Sequence, residues 1–233
     1  MKRTVVALVL LFTLVVSLPA AAFELTGELW SLSGQELIPQ ERIDNMYRGE
    51  LTLIEVGPVR LMGSAQYAGE MTKLDEFINL IRHDFKEDEI AKLEDFYLLG
   101  ALDGKARVDW PVYRGLSLIS SIGYTVSGNI AKMTENEVPQ ITSRLFGGIA
   151  YSGGLGVEIA PGLTLTGTYQ YVPKMKNLVG EENNAVLQGF DVKIEYQIPV
   201  VLARAGYRTE TLKFEQADGY RISGFYVGVG IHF

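Results

Sequence analysis

Two histidines make up the whole imidazole inventory of this 233-residue chain. His83 stands in Arg82-His83-Asp84, and His232 is the penultimate residue. An imidazole beside a carboxylate is the raw material of general-base catalysis. Sequence neighbours on a helix do not face one another, however, so Asp84 does not orient His83. A nucleophile is equally hard to place: cysteine is absent, no Asp-Asp pair occurs, and no serine is marked as activated. His83 therefore reads as a solvated loop residue and His232 as a structural one near a strand end. Gly147-Gly148 and Gly153-Gly154 lie inside an alternating run with no helix following, so they read as bends or close packing rather than a phosphate loop. No histidine or cysteine cluster has metal-ligand spacing. The expectation is a non-enzymatic chain with no catalytic residues, no metal and no cofactor.

The charges hold more information. Asp103, Lys105, Arg107 and Asp109 fall at alternate positions, as do Asp191, Lys193 and Glu195, and Arg204, Arg208 and Glu210 keep the same parity. Glu24 with Glu28, and Arg48 with Glu50, repeat the pattern earlier in the chain. Period two places each set on one face of a β-strand. The opposite faces are apolar: Leu116, Leu118, Ile122, Tyr124 and Val126 in one segment, Leu145, Ile149, Tyr151, Leu155, Val157 and Ile159 in the next, Val192, Ile194 and Tyr196 further on. Glu55 and Arg221 break the rule, both near strand ends.

The alternation divides the chain into ten strands, near 23–32, 47–57, 59–70, 97–110, 115–127, 144–160, 162–172, 186–198, 200–211 and 220–233. Most are long enough to cross a bilayer as tilted strands, which takes about 9–11 residues. Four connections are tight and carry proline: Gly57-Pro58, Trp110 to Gly115, Ala160-Pro161-Gly162 and Ile198-Pro199. Between them fall longer polar segments at 33–46, 71–96, 128–143, 173–185 and 212–219. Short turns at one end and long loops at the other are the pattern of an outer-membrane barrel. Both chain ends then lie on the short-turn, periplasmic side, which requires an even strand count.

This predicts an all-β fold: a closed, antiparallel, up-and-down transmembrane β-barrel of about ten strands. The apolar faces meet lipid, and Asp103, Lys105, Arg107, Asp109, Asp191, Lys193, Glu195, Arg204 and Arg208 face the lumen, because a Lys or Arg at mid-bilayer costs about 2–4 kcal/mol. Tyr67, Tyr124, Tyr171 and Tyr207 are expected in an outer aromatic girdle, and Trp110 and Tyr196 in a periplasmic one. Thr72-Lys73-Leu74-Asp75 followed by Leu74, Phe77, Ile78, Ile81 and Phe85 at helical spacing predicts one helical extracellular insertion within 71–96.

Residues 1–22, MKRTVVALVLLFTLVVSLPAAA, have a basic start, an apolar run and small residues after Pro19, and are expected to be a signal peptide preceding a single domain at 23–233. Without Lys2 and Arg3, 28 acidic residues face 19 basic ones, which argues against a nucleic-acid partner.

The sequence resembles the small β-barrel proteins of bacterial outer membranes, such as the OmpA transmembrane domain, OmpX and the opacity proteins. The resemblance covers 23–233 as a pattern and is most specific in the last strand, Phe225, Val227, Val229, Ile231 and Phe233. It implies residence in the outer membrane of a Gram-negative cell, outer-membrane lipid as surroundings, and recognition of that strand by the barrel-assembly machinery. The family's members do many different jobs. An envelope-structural or surface-interaction role through the extracellular loops is the first expectation, with an unidentified extracellular ligand. A small porin-like diffusion channel is the second, and a barrel-embedded hydrolase the third. The mixed signs of the lumen charges favour a closed interior.

Overall fold

The computed structural model describes residues 23–36, 45–68, 96–135, 138–178, 184–215 and 219–232. Ten strands form a closed barrel: β1 (Glu24–Glu36), β2 (Asn45–Val56), β3 (Val59–Ala68), β4 (Phe96–Tyr113), β5 (Leu116–Glu135), β6 (Val138–Ala160), β7 (Leu163–Asn177), β8 (Asn184–Gln197), β9 (Val201–Phe214) and β10 (Tyr220–His232). Each strand pairs antiparallel with its sequence neighbours, and β1 pairs with β10 from Glu24–His232 to Glu36–Arg221. That last seam removes the two free edges, whose unpaired backbone groups would each cost several kcal/mol in lipid.

The tight turns follow from their residues. Val56 pairs with Val59 across Gly57-Pro58, and Gly57 has φ +59° at the first turn position, where a II′ hairpin needs glycine. In Pro161-Gly162 the order reverses: proline presets the first position and Gly162, at φ +77°, takes the second.

The strands run further toward the long connections than alternation suggests. Segment 128–143, expected as a loop, is mostly a continuation of the β5–β6 ribbon, paired from Gly128–Leu145 to Glu135–Val138. A ribbon that has left the membrane meets water on both faces, so its apolar alternation fades while its backbone pairing persists. Glu55 also changes side. A bulge between Thr52 and Ile54 shifts the parity of β2, so Ile54 takes the outward place and Glu55 turns in to meet Arg60 at 3.3 Å. The helical insertion within 71–96, apart from Phe96, lies outside the described residues, as do the segment 1–22, His83 and Phe233.

Sidedness is inverted relative to a water-soluble protein. Leu118, Ile149, Val227 and Val229 are exposed on the outside at 48%, 51%, 61% and 69%, while Arg204 and Arg208 are 4% and 5% exposed within. Ladder interruptions fall close to the tight turns (Thr52/Ile54, Pro111/Tyr113, Glu158/Ala160) or toward the long connections (Leu32/Gly34, Gly148/Tyr151, Val172/Met175). Between them the pairing is continuous, as a lipid-facing wall requires. This is the architecture and polarity of an outer-membrane-type barrel.

Candidate functional site: a three-layered lumen

Inward positions on the strands change character with height, so the lumen is layered. Toward the long-connection end they are mostly apolar, with Ser127 and Asn129 of β5 buried among them. Trp30, Met46, Leu99, Val172, Met175, Leu212 and Ile222 are buried there in one cluster, with Phe146 against Phe214 at 5.1 Å between ring centroids. Hydrogen bonds between described residues cross the barrel. Ser127 of β5 and Tyr220 of β10 share one of 3.0 Å near the apolar layer, and Gln66 of β3 donates to Glu210 of β9 at 2.8 Å just below it.

The middle layer is an ion-pair network centred on two arginines of β9. Arg204 Nε lies 2.8 Å from Glu28 Oε1, and its terminal nitrogens reach Glu50 at 3.0 Å and the Thr26 hydroxyl. Arg208 bridges Glu28 at 3.1 Å and Asp191 at 2.9 Å. Arg48 pairs with Glu50 at 3.2 Å, and the Tyr226 hydroxyl donates to Asp191 at 2.8 Å. Arg208 also stacks beneath the apolar layer, 4.6 Å from the Tyr226 ring centroid and 5.5 Å from that of Trp30. Four residues apart on one strand, the two arginines point to the same side. Arg204 reaches Glu28 on β1 across β10 because the inward residue in register between the two is Gly228: a Cβ there would lie 2.9 Å from Glu28 Cγ and 3.3 Å from Arg204 Cγ.

The facing wall of β5, β6 and β7 is uncharged in this layer. Ser121, Ser152, Thr166, Thr168 and Gln170 line it, and Ser121 donates to Ser152 at 2.9 Å. Their small size leaves an inner chamber of about 70 Å³, into which Lys105 also faces. Below it, at the tight-turn end, a cavity of about 330 Å³ shares Glu50, Arg107, Ile119, Thr166 and Lys193 with the chamber. Its charges pair locally: Arg107 holds Asp109 through bonds of 2.7 and 3.0 Å, and Lys193 holds Glu195 at 2.9 Å. Among the described residues the lumen is therefore roomiest at the tight-turn end and packed with apolar side chains toward the long connections.

Every charge assigned to the lumen from the sequence lies in it. Asp103, Lys105, Arg107, Asp109, Asp191, Lys193, Glu195, Arg204 and Arg208 all border its cavities. Trp110, Tyr124, Tyr171 and Tyr196 stand exposed on the outside, whereas Tyr67 and Tyr207 are half-buried, Tyr207 packing edge-on against Phe225 at 5.0 Å. Phe225, Val227, Val229 and Ile231 form an outward row on β10. His232 faces its cross-strand partner Glu24 at the tight-turn rim, and among the described residues no nucleophile and base are brought together there. The apolar layer escaped sequence reading, although its signal is present: at Trp30, Met46, Leu99, Leu212 and Ile222 the inward parity itself becomes apolar.

No protein-family model matches the sequence, and no curated protein matches it. Among solved structures, the chain is similar to the Neisserial surface protein A (10% identity, 92% of this chain and 98% of that one, TM-score 0.39). It is likewise similar to the outer membrane protease OmpT from Escherichia coli (9%, 93% and 99%, TM-score 0.49) and to Ail, the attachment invasion locus protein of Yersinia pestis (11%, 92% and 100%, TM-score 0.40).

Proposed function

We propose that this chain is an integral outer-membrane protein whose barrel is shut to solutes and which acts, without catalysis, through its surface-side connections. The observation that carries this reading is the filled upper lumen. Apolar side chains contributed by strands around the barrel meet there, and the Ser127–Tyr220 bond bridges it from wall to wall. Beneath them the arginine network narrows the lumen from the β8–β2 side, with Glu28, Glu50 and Asp191 each engaged by an arginine. A conducting pore needs a continuous wet path with weak, repeated sites; here the buried side chains of the apolar layer, Trp30, Leu187 and Leu212 among them, stand across it.

The outward row Phe225, Val227, Val229 and Ile231 is the segment offered to the assembly machinery, and Trp110, Tyr124, Tyr171 and Tyr196 anchor the barrel at the interfaces. Surface interaction is favoured over pure envelope support because the β5–β6 ribbon continues well past the point where the neighbouring β6–β7 pairing stops. Planar-bilayer recording of the purified barrel tests closure: a silent membrane is expected, and steady, reproducible conductance steps from wild-type protein would return the porin-like reading.

A further inference from the structure

The outer surface carries a cluster of cations that neither the lumen nor the girdle uses. Lys174, Lys176, Lys213 and Arg221 are all exposed, on the outward side of β7, β9 and β10 toward the long-connection end. Strand register places them together. Tyr171, Gln188, Thr211 and Arg221 form one row across β7 to β10. The next outward row holds Lys213 opposite Val186, with Lys174 in the β7 bulge on the other side of Val186, and the row beyond holds Lys176 opposite Asn184. At about 4.8 Å between strands and about 7–8 Å between diagonal neighbours, Lys213 lies diagonal to Arg221 and two strand spacings from the β7 lysines, so the four line one stretch of the outer surface.

None of the four makes an ion pair with a described residue. The one carboxylate on this stretch of described surface, Glu215, accepts a bond from Asn184 at 3.0 Å. An excess of exposed cations here runs against the chain's net charge of −7. The polar neighbours Gln188, Thr209 and Thr211 supply further donors between them.

We propose that this patch binds the phosphate groups of lipids in the leaflet at the long-connection end of the barrel. The proposal rests on the membrane reading above. The cations begin in the row of Tyr171, where the lipid-facing surface of Tyr169, Phe190, Tyr207 and Phe225 ends, so they stand at headgroup level rather than on a distant loop. Continuity with that surface favours a lipid phosphate over a soluble polyanion. Lysine suits the task as a mobile point charge, and Arg221 adds a planar fork for two phosphate oxygens.

The test uses the full barrel in phosphatidylcholine bilayers containing spin-labelled phosphatidate or spin-labelled phosphatidylcholine, and reads the motionally restricted fraction of each label. Wild type is expected to select phosphatidate, and each double variant, K174Q/K176Q and K213Q/R221Q, to lose part of that selection, by about fivefold for each cation removed at most. The R114Q variant, at an exposed arginine of the tight-turn end, is expected to match wild type. Selection that persists in the quadruple glutamine variant, or is absent in wild type, overturns the proposal. So does loss of the phosphatidate preference in R114Q but not in the patch variants. Tight binding of inositol hexaphosphate in detergent without lipid selection assigns the patch to a soluble polyanion instead and equally overturns it. No restricted lipid of either kind would contradict the membrane placement itself, and the patch would fall with it.

Discussion

Tyr220 on β10 and Ser127 on β5 stand on opposite walls of the barrel, yet their side-chain oxygens lie 3.0 Å apart. The bond spans the lumen toward its long-connection end. Both residues are buried, so neither oxygen has bulk water to fall back on.

Removing one partner should be felt. Tyr220→Phe leaves the Ser127 hydroxyl in a dry layer at a cost of about 1–3 kcal/mol. The measurement is urea unfolding of the barrel in lipid vesicles, followed by its gel mobility without heating. Ser127→Ala combined with Tyr220→Phe should recover part of the loss, because the Ser127 hydroxyl is then removed along with its partner.

Arg204 is the member of the network with most to lose. Arg204→Leu removes the cation that Glu28 and Glu50 share and leaves Glu28 to Arg208 and Glu50 to Arg48. Breaking a buried pair from one side costs about 3–5 kcal/mol, and the remaining partners should hold the loss to the lower end of that range. Adding Glu28→Gln to Arg204→Leu should restore part of the stability, because Glu50 then keeps Arg48, Arg208 keeps Asp191 and the buried charges balance again. If Arg204→Leu alone unfolds at the wild-type urea concentration, the network contributes nothing and the close contacts are incidental.

Gly228 makes that network possible by having no side chain. Gly228→Ala places a methyl carbon against Glu28 Cγ and the Gly27 carbonyl oxygen, each at 2.9 Å. Overpacking of this kind costs about 1–3 kcal/mol. Gly153→Ala, where a Cβ meets no atom within 4 Å, is the matched control and should unfold as wild type does.

The β2 bulge makes a separate demand. A nitroxide attached at position 54 should report a lipid environment and one at position 55 an aqueous, partly occluded one. An unbroken strand would give the opposite assignment, because Glu55 then shares the parity of the lipid-facing Leu51.

Much of the fold is legible because a bilayer enforces a strict two-residue rule: any residue such as Leu118 or Ile149 must be greasy, and its neighbours are free to be charged. The rule weakens where the lipid stops. Segment 128–143 reads as a loop for that reason, although its backbone remains paired. It also fails at bulges, which is why Glu55 stands out as an exception on an apolar face: one inserted residue inverts parity without altering composition. The apolar layer is hidden differently. Trp30, Met46 and Leu212 are apolar on the face reserved for charges, and alternation reads a greasy lumen position as noise rather than as a plug. The cation patch needs register, since Lys176, Lys213 and Arg221 are brought side by side only by the pairing of four strands.

The inverted polarity of the barrel is tested most directly by site-directed spin labelling, which the cysteine-free sequence makes clean. Single cysteines replace Ile149 and Val229 on the outside and Ser152 and Thr168 on the inside, and each labelled barrel is refolded into vesicles. Collisions with oxygen should dominate at 149 and 229, and labels at 152 and 168 should be shielded from lipid-dissolved oxygen. Oxygen-dominated collisions at 152 and 168, with water-soluble quencher reaching 149 and 229, would contradict the account.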